Sequence, residues 1–240
     1  MRGQTMADMI DIHATDGSGT FEAYVVRPAK TGNGPVIVVL QEIFGVNEGM
    51  RQICDDLARE GYIAICPDLF WRMKPGVDIT DKTEEEWKEA FHYFQTFDHD
   101  KGMEDIAATV AVAKKLEGGT GKVGAVGYCL GGLLAYKTSA LTDVDASVAY
   151  YGVGLDTLLD LSAKITTPLL MHIAEEDGFV DKDAQKRIKE GLKDNANVTI
   201  HSYPGVDHAF ARPDGVNWNT AAANLANART RDFFQTNLKG

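Results

Sequence analysis

The sequence predicts an α/β fold with a mostly parallel central sheet flanked by helices, on three observations. Strand-length apolar runs alternate with helix-length amphipathic segments along the whole 240-residue chain. Several runs are apolar without interruption, Val36-Ile37-Val38-Val39-Leu40 among them, as expected of strands covered on both faces. A glycine-flanked pentapeptide, Gly127-Tyr128-Cys129-Leu130-Gly131, lies between the run Lys122–Val126 and a helical pattern starting Leu133-Leu134-Ala135-Tyr136. Strand–helix–strand alternation of this kind favours parallel pairing with right-handed crossovers.

The elements follow in order. Phe21–Arg27 alternates like an exposed hairpin strand, and Val36–Leu40 is the first buried strand. Asn47–Glu60 reads as a helix closed by Gly61, and Tyr62–Cys66 as a strand stopped by Pro67. A polar stretch, Phe70–Asp81, is expected to lie over one end of the sheet. Helices are predicted at Thr83–Phe97, where Thr83 and Glu86 have capping-box spacing, and at His99–Leu116. After the pentapeptide come strands at Ala146–Tyr151, Pro168–Ala174 and Val198–Tyr203. A helix is predicted at Asp181–Leu192, and an Ala-rich one runs from about Val216 to Leu238. With no repeat or low-complexity linker, residues 1–240 read as a single domain, residues 1–9 being a flexible N-terminal extension.

Composition narrows the partners. Net charge is −11, with acids and bases interspersed, which disfavours a nucleic-acid partner. The chain lacks an 18-residue uncharged apolar run and its N-terminus lacks a secretory signal pattern, so no membrane partner and a cytoplasmic location are expected. Three cysteines without a C-x-x-C pair fit a reducing compartment, and Cys54 and Cys66 read as inert core thiols. No metal-binding spacing is visible. A monomer is expected.

The chemistry gathers at the carboxyl ends of predicted strands. The pentapeptide has the G-x-S-x-G form of the nucleophile elbow of the α/β-hydrolase fold, with cysteine in the central place. Glu175-Glu176-Asp177-Gly178 and Asp207-His208-Ala209-Phe210 follow later strands, so Cys129…Asp177…His208 reproduces that fold's order of nucleophile, acid and histidine. His208 would take the thiol proton and return it to the leaving group, while Asp177 would fix the imidazole tautomer. The Leu130 N–H, just after the nucleophile, and that of Ile43, in the loop after the first buried strand, are the expected oxyanion donors. Glu42 stands in the same loop, where it borders the nucleophile or is simply a solvated strand-end charge.

Rival readings are weaker. His172 and His201 fall within strands, where satisfied structural histidines are usual, and Asp207 is too close to His208 in sequence to orient it. Gly118-Gly119-Thr120-Gly121-Lys122 has Val123 where a phosphate loop requires Ser or Thr, and Gly124, Gly127 and Gly131 do not have dinucleotide-binding spacing.

The segments Gln41-Glu42-Ile43-Phe44-Gly45-Val46-Asn47, Cys66-Pro67-Asp68-Leu69, Gly127–Gly132, Tyr150-Tyr151-Gly152 and His208-Ala209-Phe210 together resemble the dienelactone hydrolase (carboxymethylenebutenolidase) family from about residue 10 onward. The resemblance implies a Cys129–His208–Asp177 triad and a cofactor-free enzyme of aromatic degradation that opens an unsaturated lactone to a keto acid such as maleylacetate. It implies that Glu42 interacts with the cysteine and an arginine, matched here by Arg212, and moves when substrate binds. Tyr151 and Arg212 are counted among the substrate-binding residues.

One departure bears on substrate. The family carries a second arginine on the helix before the elbow, but Thr83–Phe97 contains none. Trp87 falls near that position, beside Lys88, and Phe91 stands where the family has tyrosine. Trp87, Phe91 and Phe94 are core packing or pocket lining, and Arg72 or Lys88 is the candidate replacement charge. The expected activity is cysteine-dependent hydrolysis of a small lactone or ester. A hydrolase for a bulkier or less acidic ester, and a non-catalytic thiol-sensing or ligand-binding homologue, are the alternatives.

Overall fold

The computed structural model describes residues 6–29 and 33–239. It divides into two compact units, Met1–Gly124 and Ala125–Gly240.

In the first unit the strands are β1 (Met6–His13), β2 (Thr20–Arg27), β3 (Gly34–Leu40) and β4 (Ile63–Pro67), in the order β1-β2-β4-β3. β1 pairs antiparallel with β2 from Met6↔Arg27 to His13↔Thr20, β2 pairs antiparallel with β4, and β3 pairs parallel with β4. β1 corrects the expected flexible extension over residues 1–9. Residues 6–9 are strand, and residues 1–5 lie outside the described residues. Most of β1 is exposed, so its sequence lacks the buried-face pattern that announces a strand. β2 alternates exposed and buried residues and forms an antiparallel hairpin with β1, as its pattern predicts, while its other edge pairs with β4.

β3 is buried at every position, as its unbroken apolar run requires. Helix α1 (Glu48–Arg59) buries Met50, Ile53, Cys54, Leu57 and Ala58, the i, i+3, i+4, i+7, i+8 stripe of an amphipathic helix. The Asn47 side chain caps it by accepting from the Met50 N–H, and Gly61, at φ 90°, turns the chain out of it. Helices α2 (Glu84–Thr96) and α3 (His99–Ala113) agree closely with expectation. Thr83 accepts from the Glu86 N–H, while the Glu86 carboxylate binds the Thr83 hydroxyl and the N–H and hydroxyl of Thr80.

The Phe70–Asp81 stretch is fastened within this unit. Phe70 is fully buried against Tyr93 and Phe97, and the Asp68 carboxylate accepts the N–H groups of Phe70 and Gly76. Asp105 of α3 is 1% exposed; it accepts from Trp71 Nε1 at 2.8 Å and takes Arg72 bidentately at 2.9 and 2.8 Å. Arg72 also donates to Asp16 and Ser18 and stacks over the Trp71 ring.

In the second unit, β5 (Gly119–Tyr128, which begins just before the boundary), β6 (Ala146–Tyr150), β7 (Leu169–Ala174) and β8 (Val198–Tyr203) follow in that order. β6–β7 and β7–β8 are parallel. Helix α4 (Leu130–Leu141) is buried continuously from Leu130 to Ser139, and α5 (Lys182–Leu192) and α6 (Thr220–Leu238) complete the unit. Two short 3₁₀ turns, Leu155–Thr157 and Leu159–Lys164, carry no sequence signal that separates them from loop. Helix α6 starts later than the expected Val216. Asn219 caps it, the Asn219 N–H is drawn back to the Phe210 carbonyl, and Asn217 Nδ2 donates to the His208 carbonyl, so the preceding residues stay a loop. Mostly parallel strands with flanking helices bear out the α/β-hydrolase expectation. No helix among the described residues is long and apolar enough to cross a membrane.

The Asp105 cluster generates a prediction. Asp105→Asn removes the charge that holds Arg72, with an expected loss of roughly 1–3 kcal/mol in urea unfolding at unchanged slope. Asp16→Asn, at the half-exposed end of the same network, should cost less. Equal losses would show that burial of Asp105 does not set the strength of this clamp.

Candidate active site

The Cys129 turn is made by backbone geometry. Cys129 stands between β5 and α4 at φ 55°, ψ −114°, a conformation side-chain-bearing residues rarely adopt. Its neighbours have no room for a side chain. A Cβ on Gly127 would lie 1.9 Å from the Gly131 carbonyl oxygen, and one on Gly132 would lie 2.2 Å from that of Tyr150. The Cys129 N–H donates to the Tyr150 carbonyl at 3.1 Å, anchoring the turn to the end of β6. Leu130 opens α4, so its N–H is one of the first-turn donors that a helix cannot satisfy internally.

The acid and the histidine meet in the same unit. His208 Nδ1 contacts Asp177 Oδ2 at 2.9 Å and Oδ1 at 3.1 Å, and both side chains are buried. Asp177 Oδ1 also accepts the N–H groups of Phe179 and Val180, which fixes the carboxylate in its own loop. Burial alone would lower the proton affinity of His208. The Cys129 sulfur and the Asp177 carboxylate beside it outweigh that effect and push its pKa up to about 10. Nε2 makes no hydrogen bond of ordinary geometry within the described residues, and the Cys129 side chain lies beside the ring. Asp177, not Asp207, is thus the carboxylate on the imidazole.

Asp207 has a role the sequence did not suggest. Its Oδ1 accepts both the His208 N–H at 2.6 Å and the Gly178 N–H at 2.9 Å, tying the histidine loop to the acid loop. Two rings meet the imidazole edge-on: Tyr151, 5.0 Å away, and Phe179, 4.9 Å away. Tyr151 is buried at φ 37°, while Phe179 is 49% exposed. Nothing in the sequence singled out Phe179, because an aromatic residue two places after an acid has no distinctive spacing. Arg212 is 6% exposed, which rules out an ordinary surface arginine.

The remaining predicted residues lie in the first unit. Glu42 and Ile43 follow β3 and are buried, Glu42 at 1% exposure, so it is no solvated strand-end charge. Trp87 of α2 meets the Phe44 ring edge-on at 5.2 Å and lies 5.4 Å from Phe91. The buried face of α2 is Ala90 and Tyr93, whereas Trp87 is half-buried and Phe91 is 36% exposed. Trp87 thus packs on the fully buried Phe44 ring and donates to the Asp81 carbonyl, while Phe91 beside it stays open to solvent. Arg72 is committed to Asp105 and Asp16 and cannot stand in for the missing helix arginine, and Lys88 is exposed. Cys54 and Cys66 are buried. Burial, reinforced by the Cys66 thiol, pushes Cys54 far above the ordinary thiol range, in keeping with inert core thiols. Among the described residues, no group of three or more His, Cys, Asp or Glu side chains is placed to hold a metal ion.

Comparison with known proteins agrees with this geometry. The sequence profile described as the dienelactone hydrolase family matches residues 21–238. A relative from Azospirillum brasilense, provisionally named a carboxymethylenebutenolidase, is 49% identical over 232 residues, covering 96% of this chain and 100% of that one. Carboxymethylenebutenolidase of Pseudomonas putida is 40% identical over 228 residues, covering 95% of this chain and 96% of that one. Among solved structures, a provisionally named dienelactone hydrolase from Klebsiella pneumoniae subsp. pneumoniae matches with a TM-score of 0.84 at 27% identity, over 96% of this chain and 98% of that one. The nucleophile turn, the paired acid and histidine, and these likenesses make the chain a member of the dienelactone hydrolase family, an ester or lactone hydrolase.

Proposed function

We propose that Cys129 is the nucleophile of a cofactor-free hydrolase that opens a small lactone, dienelactone to maleylacetate being the favoured reaction. The observation that carries this reading is a strained, glycine-walled Cys129 in the same unit as a buried His208–Asp177 pair whose imidazole favours its protonated form. Attack by the Cys129 thiolate on the lactone carbonyl forms the S–C bond and moves an electron pair to the carbonyl oxygen. The N–H groups of Leu130 and Ile43 receive that oxyanion. Collapse breaks the ring C–O bond, leaving an acyl-thioester, and His208 gives its proton to the departing oxygen. The neutral imidazole then takes a proton from water as its oxygen attacks the thioester. Collapse releases the acid and restores the thiolate–imidazolium pair.

Arg212 binds the substrate carboxylate or holds Glu42 in this reading, and its burial supports either role over solvation. Trp87, Phe91 and Tyr151 line the substrate site. Residues 1–240 are read as one catalytic domain, a reading that the family profile matching residues 21–238 supports. The enzyme acts as a cytoplasmic monomer, and its three free cysteines fit a reducing compartment. A second reading, a bulkier or less acidic ester, is favoured by the arginine-free α2 with its half-open Trp87–Phe91 pair.

A panel of cis- and trans-dienelactone, neutral lactones and aryl esters tests both. Cys129→Ala should lower kcat more than about a thousandfold on any substrate turned over. Retained activity would remove the cysteine mechanism. Arg212→Ala should raise KM for acidic lactones roughly 10- to 100-fold, with little change for neutral esters. An equal loss on both would assign the arginine to Glu42.

A further outcome follows from the sign of the His208 shift. Its raised proton affinity stabilises the folded chain fully below the ordinary pKa of 6.5, and that contribution fades as pH rises to about 10. Across that window Tm should fall more steeply for the wild type than for His208→Gln. Parallel curves would show that the fold does not hold the imidazolium.

A further inference from the structure

A buried chain of polar side chains runs beneath the nucleophile turn, entirely within the second unit. The hydroxyl of Tyr150 meets Asn227 Oδ1 at 3.0 Å and Thr230 Oγ1 at 2.6 Å, both on α6. Thr230 Oγ1 also meets His172 Nε2 at 3.0 Å. His172 Nδ1 meets the Tyr203 hydroxyl at 2.8 Å, and Arg229 donates to that hydroxyl oxygen at 3.1 Å. Tyr150 and His172 are fully buried, and Tyr203 and Thr230 nearly so.

The ends of this chain fix its direction. An amide oxygen only accepts, so Tyr150 gives its proton to Asn227. The Tyr150 oxygen must then accept from Thr230, and Thr230 from the Nε2–H of His172. Burial, aided by His201 and Arg229, drives the proton affinity of His172 far down, so the ring is neutral and carries one proton. With that proton on Nε2, Nδ1 accepts from Tyr203. The Tyr203 oxygen is left to accept from Arg229, which only donates. Every donor in the chain has an acceptor in one direction, and reversing the order would set the Asn227 oxygen against an oxygen without a proton.

The two central residues hold the catalytic backbone. The Tyr150 carbonyl accepts the Cys129 N–H at 3.1 Å, and the His172 carbonyl accepts the Tyr151 N–H at 2.8 Å. The Tyr151 ring in turn lies against His208, and Tyr150 stacks on Tyr128, the residue before Cys129. The geometry points to Thr230 as a positioning residue. Its hydroxyl locks His172 in the Nε2–H tautomer and sets the Tyr150–Tyr151 step on which Cys129 and the face of His208 rest. This role rests on Cys129 being the nucleophile.

Histidine-selective ¹³C/¹⁵N labelling and NMR of the full chain read the tautomer without any substrate. The wild type should show neutral His172 with its proton on Nε2. Thr230→Val, which keeps the shape and removes the hydroxyl, should give Nδ1–H or a mixture, and Thr230→Ser should restore Nε2–H. Alkylation of Cys129 by iodoacetamide, followed by intact mass, should slow roughly five- to tenfold in Thr230→Val and recover in Thr230→Ser, on the scale of one lost hydrogen bond. If the valine variant does not fold, Asn227→Ala frees the accepting end at a half-exposed site and should populate both tautomers. An Nδ1–H tautomer in the wild type overturns the proposal, as does a tautomer switch that leaves alkylation unchanged. Normal tautomer and alkylation results with no hydrolysis of any substrate would instead count against the proposed lactone chemistry and leave the role of Thr230 standing.

Discussion

Holding a cysteine at φ 55° is the constraint on which the second unit depends. The strained turn puts the cysteine at the junction of β5 and α4, directly before the first turn of that helix. It persists only because its surroundings over-determine it. Gly127 and Gly131 meet at backbone distance, Gly132 lies against the Tyr150 carbonyl, and the Cys129 N–H is tied to the same carbonyl. Continuous burial of α4 follows, because a helix that enters the centre of a unit through such a turn has no solvent face along most of its length.

The same economy of placement governs the acid and the histidine. Asp177 binds the imidazole with both oxygens and its own loop with one of them, so its orientation owes nothing to solvent. Asp207, one residue from the histidine, holds backbone rather than ring. Two adjacent carboxylate loops thus divide the work: one sets the tautomer and the other sets the distance between the loops. Raised proton affinity at His208 is the electrostatic result of placing a buried imidazole between a sulfur and a carboxylate.

Much of this was legible in the residues. The stripe in α1, its Asn47 cap and its Gly61 stop are local signals and sit as written. The order Cys129, Asp177, His208 was readable because the fold places functional groups at strand ends, and the structure brings Asp177 and His208 into contact. β1 was not legible, since an exposed strand has no buried face to mark it. The start of α6 was missed because Asn217 and Asn219 are drawn back to the histidine loop by contacts distant from any helix rule. The reading of His172 as a satisfied core histidine was sound, but its partners Tyr203 and Thr230 stand 31 and 58 residues away, and no spacing announces such a pairing.

Chemistry and selectivity are built from different materials here. Asp177 and His208 are buried and joined at 2.9 and 3.1 Å, and Cys129 is buried on its strained turn, so the fold itself sets their geometry. Phe179 and Phe91 are instead large rings left 49% and 36% exposed, one against His208 and the other beside Trp87. Open aromatic surface attracts apolar and planar groups and offers a carboxylate no counter-charge. Arg72 is bound to Asp105 and Asp16 and α2 has no arginine, whereas Arg212 is buried in the second unit, so charge and open aromatic surface are set by separate elements.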